Sequence, residues 1–221
     1  MSALRELRRG LFRWTARHPD AETDPQPGSP ADWGPDVGSV AYAARDALVL
    51  VDPLVPADQS DLQEEVDELV RRHKKPVVIL TTLQFHRRSR DELVARYGAS
   101  TSRAKKVLPE GVETVEIRGA GETMVWLSEV RALIPGDRLL GGDPGGLRLC
   151  PESWLRYLPS KMSQAQLRKA LQPLLELPVE VVLVSHGKPV LSGGREALVR
   201  VLDAGGPRGS SRPRPPSAGR P

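Results

Sequence analysis

The sequence has one cysteine, Cys150, and no long run of apolar residues. A single cysteine excludes an intramolecular disulfide, and we expect Cys150 to be a packed thiol rather than a nucleophile. No apolar segment reaches the length of a membrane-spanning helix. The N-terminus carries arginines without the apolar stretch of a secretory signal. We therefore expect a soluble, cytoplasmic protein that does not bind membranes.

The chain outside the C-terminal end carries almost no net charge. The net charge is +4, but residues 203–221 contain four arginines and one aspartate, so the remaining 202 residues carry only +1. A nucleic-acid groove needs many clustered cations. We therefore expect the partner to be a small-molecule substrate or ligand and not a nucleic acid. The sequence does not indicate an oligomeric state.

The composition divides the chain into three parts. Leucines at helical spacing in residues 1–13 predict a short helix lying on the body, followed by an irregular arm to residue 36. Residues 37–202 contain the apolar segments of one domain. Residues 203–221 consist almost entirely of Gly, Pro, Ser and Arg, a composition typical of a disordered tail.

Within the domain, apolar strands alternate with amphipathic helices. Residues 37–44 and 47–51 predict a hairpin, and Ser60–His73 has the apolar stripe of a surface helix. Strand pairs joined by hairpins and followed by helices favour an α/β fold of two sheets with helices outside, a four-layer αββα sandwich. Three helices are predicted to begin at a capping box. These pairs are Ser60 with Gln63, Ser89 with Glu92, and Ser163 with Gln166.

Three predicted strands end in a side chain that can do chemistry. The apolar run Val77–Leu80 leads into a polar loop that contains His86. Two later apolar runs end at Asp137 and at His186. Ligands of open α/β sheets bind beyond the carboxyl ends of the strands. We therefore expect His86, Asp137 and His186 to meet in one cleft.

From Trp14 to Leu202, the order of these segments resembles the metallo-β-lactamase fold. Five segments carry the resemblance, each similar to a family strand and the loop that follows it. They are Val37–Tyr42, Ala47–Pro53, Pro76–Thr81, Arg131–Asp137 and Val181–Gly187. The resemblance implies that Asp137 stands at the place of the family's metal-bridging Asp, and His186 at that of its last metal-binding His.

The chain departs from the family in its main metal loop, which reads His-x-His-x-Asp-His directly after the strand. The positions of the motif are filled here by Thr82, Gln84, His86 and Arg87. In the turn where the family has a further metal-binding His, this chain has Glu122. The resemblance therefore implies the fold. It also implies a site with fewer metal ligands than the two-zinc site of the family.

Two functional hypotheses follow. In the first, Asp137, His186, His86 and Glu122 supply ligands for one metal ion, either zinc or, with mixed His and carboxylate ligands, iron or manganese. A metal-activated water would then hydrolyse an ester, thioester or lactone. His86 would be a ligand or a catalytic proton shuttle.

In the second hypothesis the protein is a metal-free, non-catalytic relative. Arg87 or Arg88 would bind a small anionic ligand, because a guanidinium matches carboxylate or phosphate, or the protein would bind a protein partner. His86, Asp137 and His186 would then be loop residues that hold turns. The segment Gly141–Gly146 does not fit a phosphate loop, because no Gly-Lys-Ser/Thr follows it.

Overall fold

The first half of the chain builds a six-stranded sheet. A computed structural model describes residues 4–29, 31–101, 108–143 and 145–203. In spatial order the strands are β1 (Arg5–Arg8), β2 (Leu11–Arg17), β3 (Asp36–Ala43), β4 (Leu48–Val51), β5 (Val77–Leu80) and β6 (Ser100–Thr101). Strands β1 to β4 pair antiparallel, whereas β4, β5 and β6 run parallel. The parallel strands are connected by α1 (Ser60–His73) and α2 (Arg90–Tyr97).

The second half builds a four-stranded sheet and a separate hairpin. The sheet consists of β7 (Val112–Ile117), β8 (Glu122–Leu127), β9 (Ala132–Ile134) and β12 (Val181–Val182), in the order β12-β9-β8-β7. Strand β12 runs parallel to β9. The hairpin is β10 (Leu139–Gly142) with β11 (Gly146–Leu149). The helices are α3 (Glu152–Leu155), α4 (Gln164–Leu171) and α5 (Gly194–Asp203), and 3₁₀ turns span Gln84–Arg87 and Gln172–Glu176.

The burial of β4 shows how the layers stack. Leu48 and Leu50 pack in one cluster with the apolar stripe of α1, and Val49 and Val51 pack in another with the second sheet. Successive residues of a strand point to opposite faces, so β4 lies between a helix and a sheet. The far face of the second sheet packs on α4 and α5 through Met124, Trp126 and Leu133. The predicted αββα sandwich is confirmed.

Helix α1 has the predicted bounds, but two of the three predicted capping boxes are wrong. Ser163 and Gln166 exchange both bonds of a capping box at the start of α4. The N-cap of α1 is Gln59, without a side-chain bond. At α2, the Ser89 hydroxyl is bound instead to the backbone of Val55, accepting from its N–H at 2.9 Å and donating to its carbonyl at 3.1 Å. A tertiary contact therefore replaces the local cap.

The predicted N-terminal helix is wrong: where the structure describes this segment, it forms the hairpin β1–β2. Strand β2 pairs with β3 from Leu11↔Tyr42 to Arg17↔Asp36, and Gly10 turns the chain at φ 75°. Trp14 is 1% exposed and donates from Nε1 to the carbonyl of Leu54 at 2.8 Å. A helix would have left the edge of β3 without hydrogen-bond partners, whereas a strand satisfies it. The chain up to Arg17 is therefore part of the main sheet, whereas the described residues between Arg17 and Asp36 form neither helix nor strand, as predicted for an irregular arm.

The bounds of other elements differ less between the sequence pattern and the structure. In the apolar run over residues 179–184, only Val181–Val182 forms a strand, and the glycine-rich segment 141–146 lies in the β10–β11 hairpin. The predicted strand over residues 104–108 and the C-terminal tail lie outside the described residues, apart from their ends at Leu108 and Asp203. No helix in the described ranges is long and apolar enough to cross a membrane.

Candidate functional site

Four polar side chains follow the carboxyl ends of strands from both sheets. Asp52 follows β4, His86 lies in the 3₁₀ turn after β5, Asp137 follows β9 and His186 follows β12. Strands β4 and β5 run parallel in one sheet, and β9 and β12 run parallel in the other. Each parallel pair therefore delivers its polar residues to one end of its sheet, and the site forms where these ends meet.

The structure brings His86, Asp137 and His186 together, as the sequence predicts. Oδ1 of Asp137 lies 3.0 Å from Nε2 of His86 and 3.3 Å from Nε2 of His186. One ligand atom from each of the three residues lies within 4.8 Å of the other two. In the described part of the chain this is the one such group of three or more His, Cys, Asp or Glu residues.

Asp52 orients the His86 ring through the nitrogen that faces away from Asp137. Its Oδ2 lies 2.8 Å from Nδ1 of His86. Thr82 donates to the same carboxylate from its N–H at 2.8 Å and from its hydroxyl at 2.5 Å. Because a carboxylate accepts hydrogen bonds, we assign the proton to Nδ1. The other ring nitrogen, Nε2, is therefore presented to Asp137.

His186 is fixed by backbone contacts at the junction of the two sheets. Val37 of β3 forms an isolated bridge with His186, and the N–H of Gly38 donates to the carbonyl of Ser185 at 2.7 Å. On the other side, the N–H of Gly141 donates to the carbonyl of His186 at 2.8 Å. A Cβ on Gly141 would lie 2.4 Å from backbone atoms of Lys188, so only glycine fits at this close approach.

The structure does not bring Glu122 into the cluster. Both of its carboxylate oxygens accept backbone N–H bonds, from Gly136 at 3.0 Å, Asp137 at 2.7 Å and Arg138 at 2.9 Å. Burial raises the pKa of Glu122 to about 7, against the opposing effect of Arg138. Glu122 therefore holds the loop that carries Asp137, where the sequence predicted a metal ligand.

The charges of the three clustered groups differ. Burial lowers the pKa of His86, but Asp137 and Asp52 outweigh that effect and raise it to about 9. Burial also opposes ionisation of Asp137, but the neighbouring His86 and His186 hold its pKa well below the usual range. Burial lowers the pKa of His186. The neighbouring carboxylates therefore favour the charged form of His86, whereas burial favours the neutral form of His186.

The two arginines of the second hypothesis lie in different environments. Arg87 is exposed and pairs with Asp91 at 3.2 Å. Arg88 is partly buried beside the site, and its Nη1 donates to the carbonyls of Gly38 at 2.9 Å and Asp52 at 2.8 Å. Its Nε is buried without a hydrogen-bond partner. Of the two, only Arg88 is placed to meet a ligand at this site.

A cavity of about 430 Å³ opens onto the cluster. Its polar lining includes the three clustered residues, Arg88, Arg138 and His18. Its apolar lining consists of Trp33, Val37, Phe85, Trp154 and Tyr157. No sequence pattern indicated that Phe85, Trp154 and Tyr157 lie at the site. They follow no motif and come together only through the fold.

Comparison with known proteins bears on the fold. No family model matches the sequence, and no curated protein matches it. The metallo-β-lactamase DIM-1, in crystals exposed to ceftazidime, matches 91% of this chain and 96% of its own with 14% identity and a TM-score of 0.58. The chain has the metallo-β-lactamase fold.

Two further solved structures are similar over most of the chain. A metallo-β-lactamase from Erythrobacter litoralis matches 90% of each chain with 15% identity and a TM-score of 0.58. An NDM_FIM-1-like metallo-β-lactamase from the same organism, in its mono-zinc form, matches 90% of this chain and 94% of its own, with 16% identity and a TM-score of 0.57.

The distances between ligand atoms at the site of this metallo-β-lactamase fold can be compared with those of a zinc site. Zinc bonds of 2.0–2.1 Å in a tetrahedral site place ligand atoms about 3.3 Å apart. The Asp137 Oδ1 contacts with the two Nε2 atoms are 3.0 and 3.3 Å long. Oδ1 is also buried without a directed hydrogen bond. Two imidazoles and one carboxylate, with all three ligand atoms within 4.8 Å of one another, could hold a single ion of zinc, iron or manganese.

Proposed function

We propose that this protein is a hydrolase with one metal ion held by His86, Asp137 and His186, and that it cleaves an ester, thioester or lactone. The observation that carries the proposal is the convergence of the three ligand atoms within 4.8 Å at the floor of a cavity. Three protein ligands and an open side are the arrangement of catalytic zinc sites. The mono-zinc relative from Erythrobacter litoralis supports a single ion in this fold.

When bound, the ion would supply Lewis acidity and lower the pKa of a water molecule. Asp52 would keep the His86 ring oriented, because a carboxylate on the far nitrogen fixes a metal-binding imidazole. Glu122 would keep Asp137 in place through the three backbone bonds. Arg88, held by two carbonyls beside the cluster, would attract the carboxylate product.

The test is the metal content of the full chain, purified without a tag after growth with zinc, iron and manganese. We expect close to one ion per chain in the wild type, and loss of that ion in His186→Ala and in Asp137→Ala. The control is His73→Ala, because His73 lies on α1, where its Nδ1 contacts the carbonyl of Leu69 at 2.9 Å. Retention of metal by the control and its loss from the two site variants would support the proposal.

Hydrolysis is tested separately, with a panel of esters, thioesters and lactones. Activity should follow the metal content, disappear with a chelator and return when the ion is added back. Wild-type protein that carries no metal, or carries it without cleaving any member of the panel, would overturn the hydrolase proposal.

A metal-free anion site is the second candidate, and Arg88 is the observation that favours it. A partly buried guanidinium that lines a cavity and has an unpaired Nε can recognise a carboxylate or phosphate. If metal is absent, thermal stabilisation by phosphate or by small carboxylates would support this function, provided that Arg88→Gln abolishes it. The exposed Arg87→Gln is the control.

A further inference from the structure

Aromatic residues are scarce in this chain, and they are concentrated at the cavity. They make up 4% of the sequence, which amounts to four Trp, three Tyr and two Phe. Four of these nine, Trp33, Phe85, Trp154 and Tyr157, line the cavity above the cluster. The cavity volume of about 430 Å³ lies in the range of small-molecule sites.

Two of the rings form fixed walls around His186. The ring centroid of His186 lies 5.4 Å from that of Trp33 and 5.9 Å from that of Trp154. Both pairs are in edge-to-face arrangements. Trp154 is 8% exposed and donates from Nε1 to the carbonyl of Ser29 at 3.2 Å. Because these indoles are held by the protein, they shape the cavity before any ligand arrives.

The other two rings are not packed. Phe85 and Tyr157 are each 73% exposed, and in the described part of the chain only one other large hydrophobic side chain, Leu191, is exposed. Phe85 precedes His86 in the same 3₁₀ turn, and Tyr157 follows α3. Exposed aromatic side chains that line a cavity mark a surface that a ligand covers.

We propose that the substrate carries an aromatic acyl group, which lies between Phe85 and Tyr157 while its carbonyl reaches the cluster of His86, Asp137 and His186. This inference rests on the proposed hydrolase function and names its substrate class. Aromatic rings favour one another in offset or edge-to-face pairs beyond the burial of their area. Four rings around one cavity therefore favour an aromatic group over an aliphatic group of equal size.

The reaction would be hydrolysis of the acyl bond. Water oxygen bonds to the acyl carbon, and the bond from that carbon to the alkoxide or thiolate breaks. One water proton passes to the leaving group, so the products are an aromatic carboxylic acid, which ionises, and an alcohol or thiol. No oxidant or second substrate is needed.

Binding of the acid product tests the inference without turnover. The probes are 3-phenylpropionate and 3-cyclohexylpropionate, which differ in the aromaticity of one ring, titrated against tryptophan fluorescence of the full chain. We expect the phenyl acid to bind wild type about tenfold more tightly than the cyclohexyl acid. Phe85→Ala and Tyr157→Ala should each weaken binding of the phenyl acid, and together they should remove the preference.

Leu191→Ala is the matched control, because Leu191 is 51% exposed and does not line the cavity. It should leave both affinities unchanged. Equal affinity of the wild type for the two acids, or affinities that are unaffected by both aromatic substitutions, would overturn the inference.

Hydrolysis of the two corresponding methyl esters separates this inference from the proposed function. Higher kcat/KM for the phenyl ester, reduced in Phe85→Ala and Tyr157→Ala, supports both. Cleavage of both esters at equal rates keeps the hydrolase and rejects the aromatic substrate class. Selective binding of the phenyl acid without cleavage of either ester, or of any ester, thioester or lactone of the panel, rejects the hydrolase and leaves an aromatic-acid binding site.

Discussion

Oδ2 of Asp52 lies 2.8 Å from Nδ1 of His86, and this contact directs the opposite ring nitrogen toward Asp137. Asp52 adopts a positive φ of 47°, a conformation that few residues other than glycine occupy. Its carbonyl is held by bonds from Ser39 at 2.9 Å and Arg88 at 2.8 Å. The backbone of Asp52 is therefore fixed so that its side chain can orient His86.

Replacement of Asp52 by asparagine should weaken metal binding. The amide keeps the size of the side chain but loses the charge that fixes the His86 ring, and such supporting contacts typically account for about 10- to 100-fold in metal affinity. Competition with a fluorescent chelator measures the change. Asp91→Asn, at an exposed pair with Arg87, is the control. Unchanged affinity in Asp52→Asn would show that His86 needs no support from Asp52.

Gly136→Ala should displace the loop that carries Asp137. A Cβ at this position would lie 2.5 Å from Cδ2 of Leu83 and 2.7 Å from Oγ1 of Thr82. We expect lower stability in urea unfolding and a lower metal content than in the wild type. Gly146→Ala is the matched control, because a Cβ there meets nothing within 4 Å. Equal behaviour of the two variants would contradict the packing seen at Gly136.

Glu122→Gln should destabilise the same loop by a different route. An amide nitrogen would face backbone N–H donors that now bind a carboxylate oxygen, and an unsatisfied buried donor costs about 1–3 kcal/mol. The free energy of unfolding, measured in urea, should fall by about that amount. Glu116→Gln, on the exposed side of β7, should change it little. A fully stable Glu122→Gln protein with normal metal content would argue against the clamp.

We expect Asp67, which lies away from the site, to make the free energy of unfolding depend on pH. The hydrogen bonds that Arg96 donates have the largest effect on the pKa of Asp67. Together with the hydrogen bond from Tyr97, they hold that pKa below its usual value of 3.8, although burial raises it. Because the folded-state pKa is lowered, the stabilisation is present above about pH 4 and is lost as the pH falls through the folded-state value.

The wild type should therefore be more stable than Asp67→Asn by about 1 kcal/mol near neutral pH, since the pair is largely on the surface. The difference should shrink as the pH drops below 4. Urea unfolding of both proteins between pH 3 and pH 7 measures it. A difference that stays constant over this range would show that the Asp67 charge does not contribute.

Regular segments with strong periodicity were predictable from sequence. Helix α1 has the bounds that its apolar stripe indicates, and β5 coincides with the run Val77–Leu80. The leucines before residue 13 also have helical spacing, yet Leu11–Arg17 is a strand. The open edge of β3 decides this, because it supplies hydrogen bonds over the whole length of β2.

The composition of the site was predictable only in part. His86, Asp137 and His186 follow strands, so their positions in the chain suggest that they meet. Glu122 also looked like a ligand, but its carboxylate is occupied by three backbone N–H groups. Residue type alone does not distinguish a ligand from a loop clamp, because the same oxygens serve either role.

The sequence by itself determined the layered fold and the three residues of the cluster. Both follow from local patterns, in which apolar runs form buried strands and the residues after them lie at the ends of the sheet. Only the tertiary structure decided that Asp52 supports His86, that Glu122 holds the Asp137 loop and that four aromatic residues share one cavity. These contacts join residues far apart in the chain, and their directions depend on how the two sheets pack.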